Sequence, residues 1–355
     1  MKANSAGEGP LLLAGDVGGT KTDLAVVSVG GGPRETLAKR RYPSADYSGL
    51  AEVSRAFLDE VGLKVDGACF DVAGPVLEGQ AQLTNLTWQI DETSLANALG
   101  VDRTWLLNDL VAIASAIPVL QPEELYHVKE GEAVPGGAMA VLAPGTGLGE
   151  AYLVASESGY RAQASEGGHA AFAPTTELEL DLLREMWKEF DHVSFERVAS
   201  GVGIPNLYEF LRDHRGVPES PRLAGELART EDRTRPILQA ALDPSAGDHL
   251  ASQTLELFLH ILGTEAANIS LKFLATGGLY MAGGIAQVLR ERLRTPVFLD
   301  AFVKAGRFTK MLEQVPVYVI MGEVALLGAA SEGLRLFTPS AAGSPAESGT
   351  SSQMQ

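Results

Sequence analysis

The chain has 355 residues, 28 of them basic and 45 acidic, for a formal net charge of −17. That length asks for two domains or one elaborate domain, and 45% apolar residues supply a large core. The acidic balance argues against nucleic acid as a partner, because phosphate-backbone binding needs clustered Lys and Arg, and a single cysteine, Cys69, excludes an internal disulfide and every multi-cysteine zinc site. The opening MKANSAGEGP has no basic stretch followed by an apolar run, so no signal peptide is expected. The longest apolar region, 255–274, is broken by His260, Thr264, Glu265, Asn268, Ser270 and Lys272, short of the ~18 uninterrupted apolar residues a membrane span needs. A soluble, reduced, cytoplasmic protein without a membrane partner is the expectation.

Residues 1–10 read as a flexible start. LLLAG (11–15) reads as a buried strand that meets a Gly-rich turn, and DLAVVSV (23–29) as a second strand ending at Gly30, Gly31 and Gly32. Leu50, Val53, Phe57, Leu58 and Val61 recur at helical spacing. ACFDVAGP (68–75) is a strand with a Gly-Pro stop, TWLLN (104–108) a strand, and DLVAIASAI (109–117) a helix that ends before Pro118. MAVLA (139–143) and EAYLVA (150–155) are strands flanking a second Gly-rich turn. Helices are predicted over 177–190 and 204–214, and mostly helix from 223 to 274. LYMAG (279–283), a helix over 285–294, the strand PVYVI (316–320) and a helix over 324–336 close the body. The last stretch, 338–355, is Ser/Gly/Ala/Pro-rich and cannot offset its ordering entropy, so a disordered tail is predicted. No repeat at a solenoid period is present. Glycine-rich strand–turn–strand units alternating with helices make an α/β protein with antiparallel hairpins mixed into its sheets.

Three Gly-rich turns carry the chemistry: GDVGGTKT (15–22), APGTGLGEA (143–151) and TGGLYMAGGIA (276–286). The first misses the phosphate loop G-x-x-x-x-G-K-[ST] because Thr20 stands at the second glycine, and because a strand follows where that loop needs a helix. GTGLG (145–149) misses the dinucleotide spacing G-x-G-x-x-G, and a strand follows it too. The alternative is a pair of β-hairpins whose tight turns aim N–H groups at one anion. Asp16 beside such a turn makes sense if Mg²⁺ lies between carboxylate and phosphate, mostly through water.

Together these segments resemble the sugar kinase, actin and heat-shock chaperone superfamily. Asp16-Val17-Gly18-Gly19-Thr20 resembles its first phosphate motif, Ala143 to Gly149 its second, and Gly277 to Ile285 its adenosine motif, in the same chain order. Within the superfamily the chain is most similar to bacterial glucokinases, through TNLTW (84–88), LLNDLVAIASAIP (106–118), SEGGHAAFAP (165–174), FERVASGVGIPNLY (195–208) and PVYVI (316–320). The resemblance implies a two-lobed actin-like ATPase (ribonuclease H-like) fold of mixed sheets flanked by helices. A small lobe would comprise 11–118 plus 310–337 and a large lobe 119–309. It implies ATP held by Gly15, Asp16, Val17, Gly18, Gly19, Thr20, Gly145, Thr146, Gly147, Gly283 and Gly284, with Mg²⁺ near Asp16.

Asn108 and Asp109 stand where a buried strand turns into a helix. As plain capping residues they suit that place. A carboxylate there also has its charged form stabilised, which keeps it ready to accept a proton. The resemblance makes Asp109 the base for the sugar 6-hydroxyl and Asn108 a ligand of neighbouring hydroxyls. Glu166 and His169 bracket Gly167 and Gly168 in a tight loop, where a carboxylate and an imidazole offer both donors and acceptors to hydroxyls. The resemblance places Glu166, His169 and Glu196 on the pyranose. The implied activity is D-glucose plus ATP to glucose 6-phosphate plus ADP, in a homodimer. The rival is a hexose kinase of the repressor–ORF–kinase type acting on fructose, mannose or an N-acetylated sugar, many of which carry a cysteine-rich zinc motif absent here. A non-catalytic sugar-binding regulator is a third reading, disfavoured by the presence of Asp16 and Asp109 and by the lack of room for a DNA-binding helix pair before Leu11.

Overall fold

The computed structural model describes residues 9–83, 86–157 and 159–337. Residues 1–8 of the start expected to be flexible over 1–10, the tail predicted at 338–355, and Thr84 and Asn85 of the TNLTW segment lie outside the described residues. A meander of β1 (Leu11–Val17), β2 (Lys21–Ser28) and β3 (Thr36–Pro43) is followed by α1 (Leu50–Val61) and β4 (Gly67–Val72). The short β5 (Gln80–Gln82) and β6 (Gln89–Asp91) precede α2 (Glu92–Leu99), β7 (Arg103–Asn108) and α3 (Asp109–Ala116). Next come β8 (Leu125–Lys129), β9 (Met139–Pro144), β10 (Leu148–Ser156) and β11 (Gly159–Ser165). The helical stretch comprises α4 (Glu177–Met186), α5 (Glu196–Ala199), α6 (Gly203–Asp213), α7 (Pro221–Leu227), α8 (Thr234–Leu242) and α9 (His249–Lys272). Finally come β12 (Gly278–Met281), α10 (Gly283–Leu289), α11 (Pro296–Val303), α12 (Thr309–Gln314), β13 (Val317–Ile320) and α13 (Ala325–Phe337).

Two large sheets share one plan. The first runs β3-β2-β1-β4-β7, an antiparallel meander extended by two parallel strands. The second runs β11-β10-β9-β12-β13 in the same sense, with β8 added antiparallel at its far edge. The segment 310–337, expected in the small lobe, is therefore divided. Strand β13 pairs with β12 and β8 in the second sheet, whereas α13 packs on β1 and β4 of the first. The reason is hydrophobic. The alternate side chains Leu12 and Ala14 of β1 and Cys69 of β4 bury against Leu326, Ala329 and Ala330 of α13, while Val317 and Val319 join the core of the helical half.

The other face of β1, through Leu11 and Leu13, packs on Leu50, Val53 and Phe57 of α1, the one-sided spacing of an amphipathic helix. That helix stops at Gly62, whose φ of 67° is left-handed and whose N–H donates to the Leu58 carbonyl at 2.9 Å. Helices α3 and α13 cross between the sheets, with Ala114, Ala116 and Ile117 of the α3 region buried against Val141, Ala151 and Leu153. Sequence patterning missed β3 and β11. Both are partly exposed edge strands, TLAKRRYP and GYRAQAS, without a buried apolar face to reveal them.

Candidate active site

The two hairpin turns form as expected, between β1 and β2 and between β9 and β10. In the first, Gly18 N–H donates to the Lys21 carbonyl at 2.9 Å. The fully buried Ser44, which sequence reasoning did not single out, ties this turn down: its hydroxyl donates to the Gly18 carbonyl at 2.7 Å and lies 3.0 Å from Thr22 Oγ1. In the second, Gly145 N–H donates to Gly147 O at 2.9 Å, and the Gly145 and Thr146 carbonyls accept from Gly201 N–H (2.8 Å) and Val202 N–H (3.1 Å). The third motif docks on the second. Gly283 opens α10 with φ 85°, and a Cβ there would come 2.9 Å from the Pro144 carbonyl oxygen, so only glycine suits this close approach. Gly284 follows it, exposed. Lys21 forms an ion pair with Glu323, which also meets Arg41 Nη2 at 2.6 Å.

At the carboxyl ends of β1 and β4, the parallel register sets Asp16 beside Asp71, with their side chains within hydrogen-bonding reach. Asp71 is buried and its Oδ2 has no partner. Burial, then the charges of Asp16 and Asp109, hold the Asp71 carboxyl well above the usual carboxylate range. Asp16 is raised as well, by burial first and by the charge of Asp23 next. Asp71 was not among the residues singled out. Its only sequence signal was a charged residue inside an otherwise apolar strand.

Asp109 is the first residue of α3. Asn108 caps the helix, its Oδ1 accepting from Leu110 N–H at 3.0 Å and its Nδ2 donating to the Gly74 carbonyl at 3.0 Å. Leu110 N–H also reaches Asp109 Oδ1 at 2.9 Å. The expectation that the helix start stabilises the charged form is corrected. Burial outweighs that N–H, the charge of Asp16 adds to it, and the Asp109 carboxyl is raised. A raised carboxylate is the stronger proton acceptor.

Glu166, His169 and Glu196 come together although α5 lies far along the chain from the Gly167–Gly168 turn. His169 Nε2 lies 3.9 Å from Glu166 Oε2, and His169 Nδ1 lies 3.7 Å from Glu196 Oε1. The other oxygen of Glu196 accepts from Leu148 N–H at 3.0 Å, so one side chain touches both the imidazole and the second hairpin. His192 Nε2 approaches the His169 carbonyl oxygen at 2.8 Å and ties that loop to the segment before α5. The two groups of residues meet at β10, where a Cβ on Gly149 would come within 2.7 Å of Leu110 Cδ2, next to Asp109.

The chain matches the profile of the family described as Glucokinase over residues 13–334. A glucokinase of Nostoc punctiforme is 38% identical over 340 residues, covering 92% of this chain and 99% of the relative. A glucokinase of Yersinia pestis is 36% identical over 318 residues, covering 89% and 94%. The crystal structure of glucokinase from an Antarctic psychrotroph aligns with a TM-score of 0.81 at 32% identity, over 92% of this chain and 99% of that one. With two hairpins, a docked third glycine motif and these matches in hand, the chain belongs to the glucokinase family.

Proposed function

We propose that the protein transfers the γ-phosphoryl group of ATP to the 6-hydroxyl of D-glucose. Membership of the family supports an ATP-dependent sugar kinase, and the relatives named glucokinase support glucose as the sugar. The observation that carries the reading is the junction at β10. Leu110 beside Asp109 abuts Gly149, while Glu196 joins Leu148 to His169, so the candidate base, the hydroxyl ligands and a phosphate hairpin share one short segment.

In the reaction, Glu166, His169, Glu196 and Asn108 orient the sugar ring. Asp109 accepts the 6-hydroxyl proton as O6 forms its bond to the γ-phosphorus, and the bond from that phosphorus to the bridging oxygen breaks, releasing ADP. The turns at Gly18–Thr20 and Gly145–Gly147 present backbone to the phosphates, and Gly283 and Gly284 start the helix beside the base and ribose. Such transfer needs positioning and charge neutralisation more than covalent chemistry. Mg²⁺ fits the first turn. Asp16 and Asp71 set hard carboxyl oxygens side by side there, and the buried Asp71 Oδ2 has no partner in the protein. When bound, the ion neutralises phosphate charge.

A coupled assay of ATP with glucose, mannose, fructose and N-acetylglucosamine tests the reading. Glucose is expected to give the highest kcat/KM, and a higher value for any other sugar would overturn the assignment.

A further inference from the structure

Beneath the loop that carries Glu166 and His169 lies a buried acid pair outside the machinery described so far. Glu150 on β10 is 2% exposed and Glu265 on α9 is fully buried, with their carboxyl groups within hydrogen-bonding reach of each other. Two adjacent buried anions would be costly, and nothing neutralises both. Glu265 Oε2 accepts from Asn268 Nδ2 at 2.9 Å and its Oε1 meets Lys272 Nζ at 3.3 Å, whereas Glu150 Oε1 has no partner. Lys272 is the cation that acts on Glu150, whose register partners, Leu142 on β9 and Ser165 on β11, are uncharged. Gly167 rests on the pair directly. A Cβ there would overlap Glu150 Oε2 and come within 2.7 Å of Glu150 Cδ, and Gly167 N–H donates to Ser165 Oγ at 3.0 Å. Glu166 and His169 flank this contact.

Resting on the sugar-kinase reading above, we infer that Glu150 and Glu265 are positioning residues: one proton shared between them seats the Gly167–Gly168 turn and so sets the affinity for the sugar. With one proton, the pair carries a single charge, which Lys272 balances, and the loop lies flush on β10. Without it, two carboxylates repel under Gly167 and unseat Glu166 and His169. Burial first, then the charge and hydrogen bond of Glu265, push Glu150 up to about 8, so this loss falls in the alkaline range.

Sugar saturation curves for the full chain at saturating Mg·ATP, from pH 6.5 to 9, test this. The wild type should show KM for glucose rising at least about threefold above pH 8, with kcat changing less. Glu150→Gln keeps a neutral hydrogen-bond donor in place of the protonated acid, so its KM should stay near the neutral-pH wild-type value across the range. Glu265→Gln removes the opposing charge and should flatten the profile too. A wild-type KM that is flat, or an alkaline rise retained in both variants, would overturn the inference. Calorimetry of glucose binding to the wild type near pH 8, in buffers of different ionisation enthalpy, needs no variant. Net proton uptake on binding is expected, and its absence would overturn the inference. Failure of the wild type to phosphorylate any hexose at pH 7 would instead overturn the proposed function, and this inference with it.

Discussion

Asp109 is held by Leu110 N–H and raised by burial, and the two effects separate its possible roles. Asp109→Asn keeps the oxygen that accepts from Leu110 and remains suited to a helix start, so thermal stability should change little. If Asp109 takes the 6-hydroxyl proton, kcat should fall by at least about 10²-fold, or about 2.7 kcal/mol of transition-state stabilisation. Glucose affinity should fall only modestly, since Asn108, Glu166, His169 and Glu196 remain. A near-wild-type kcat would remove Asp109 from the mechanism. Asp16 lies beside Asp71, whose Oδ2 has no partner, at the first hairpin, and Asp16→Ala should raise KM for Mg·ATP by about tenfold or more, 1.4 kcal/mol of lost binding. Calorimetry with glucose alone should then find affinity nearly intact. A large loss would assign Asp16 to the sugar site.

At the scale of elements, the site depends on how closely α3 and α13 approach each other. A Cβ on Gly328 of α13 would overlap the Ala112 carbonyl oxygen of α3 and come 2.5 Å from its carbon, with backbone rather than a movable side chain in the way. Gly328→Ala should therefore cost about 1–3 kcal/mol by overpacking, read as a lower midpoint in chemical or thermal unfolding. Since α3 begins at Asp109, kcat should fall alongside it. An unchanged midpoint and rate would mean that the helices separate freely and that the crossing does not position the base.

For the whole molecule, the Glu150–Glu265 pair ties stability to pH. An ordinary Glu titrates near ~4.3, whereas folding pushes Glu150 up to about 8. Between these values the folded state keeps a proton that the unfolded chain has released. The contribution of Glu150 is thus fully present below about pH 4, falls as pH rises through this window, and is lost above about pH 8. The thermal midpoint of Glu150→Gln, compared with wild type at each pH, should gain steadily from pH 5 to 8 and then level off. Parallel curves would show that the proton is not retained in the folded protein. On the same scale, β10 joins the phosphate hairpin, the sugar loop and α9, which explains how a pair remote from the reacting atoms can reach them.

Strands β1, β4, β7 and β9, the glycine turns after β1 and β9, and the start of α3 at Asp109 were all legible in the amino-acid order. Each is a contiguous signal: an apolar run, a turn residue or a cap, whose physics is local. The order of the three glycine motifs was legible for the same reason, and with it the family. What needed the tertiary structure was every property that depends on partners distant in sequence. The chain could not reveal that Asp71 stands beside Asp16, because the parallel register of β1 and β4 decides that. Nor could it show that β13 leaves α13 for the second sheet, or that both sheets repeat one strand order, since strand pairing follows burial on both faces. The raised pKa values of Asp109 and Glu150 came from the same source. A residue's charge is written in the sequence, but whether that charge persists depends on the water and the neighbours that folding leaves around it.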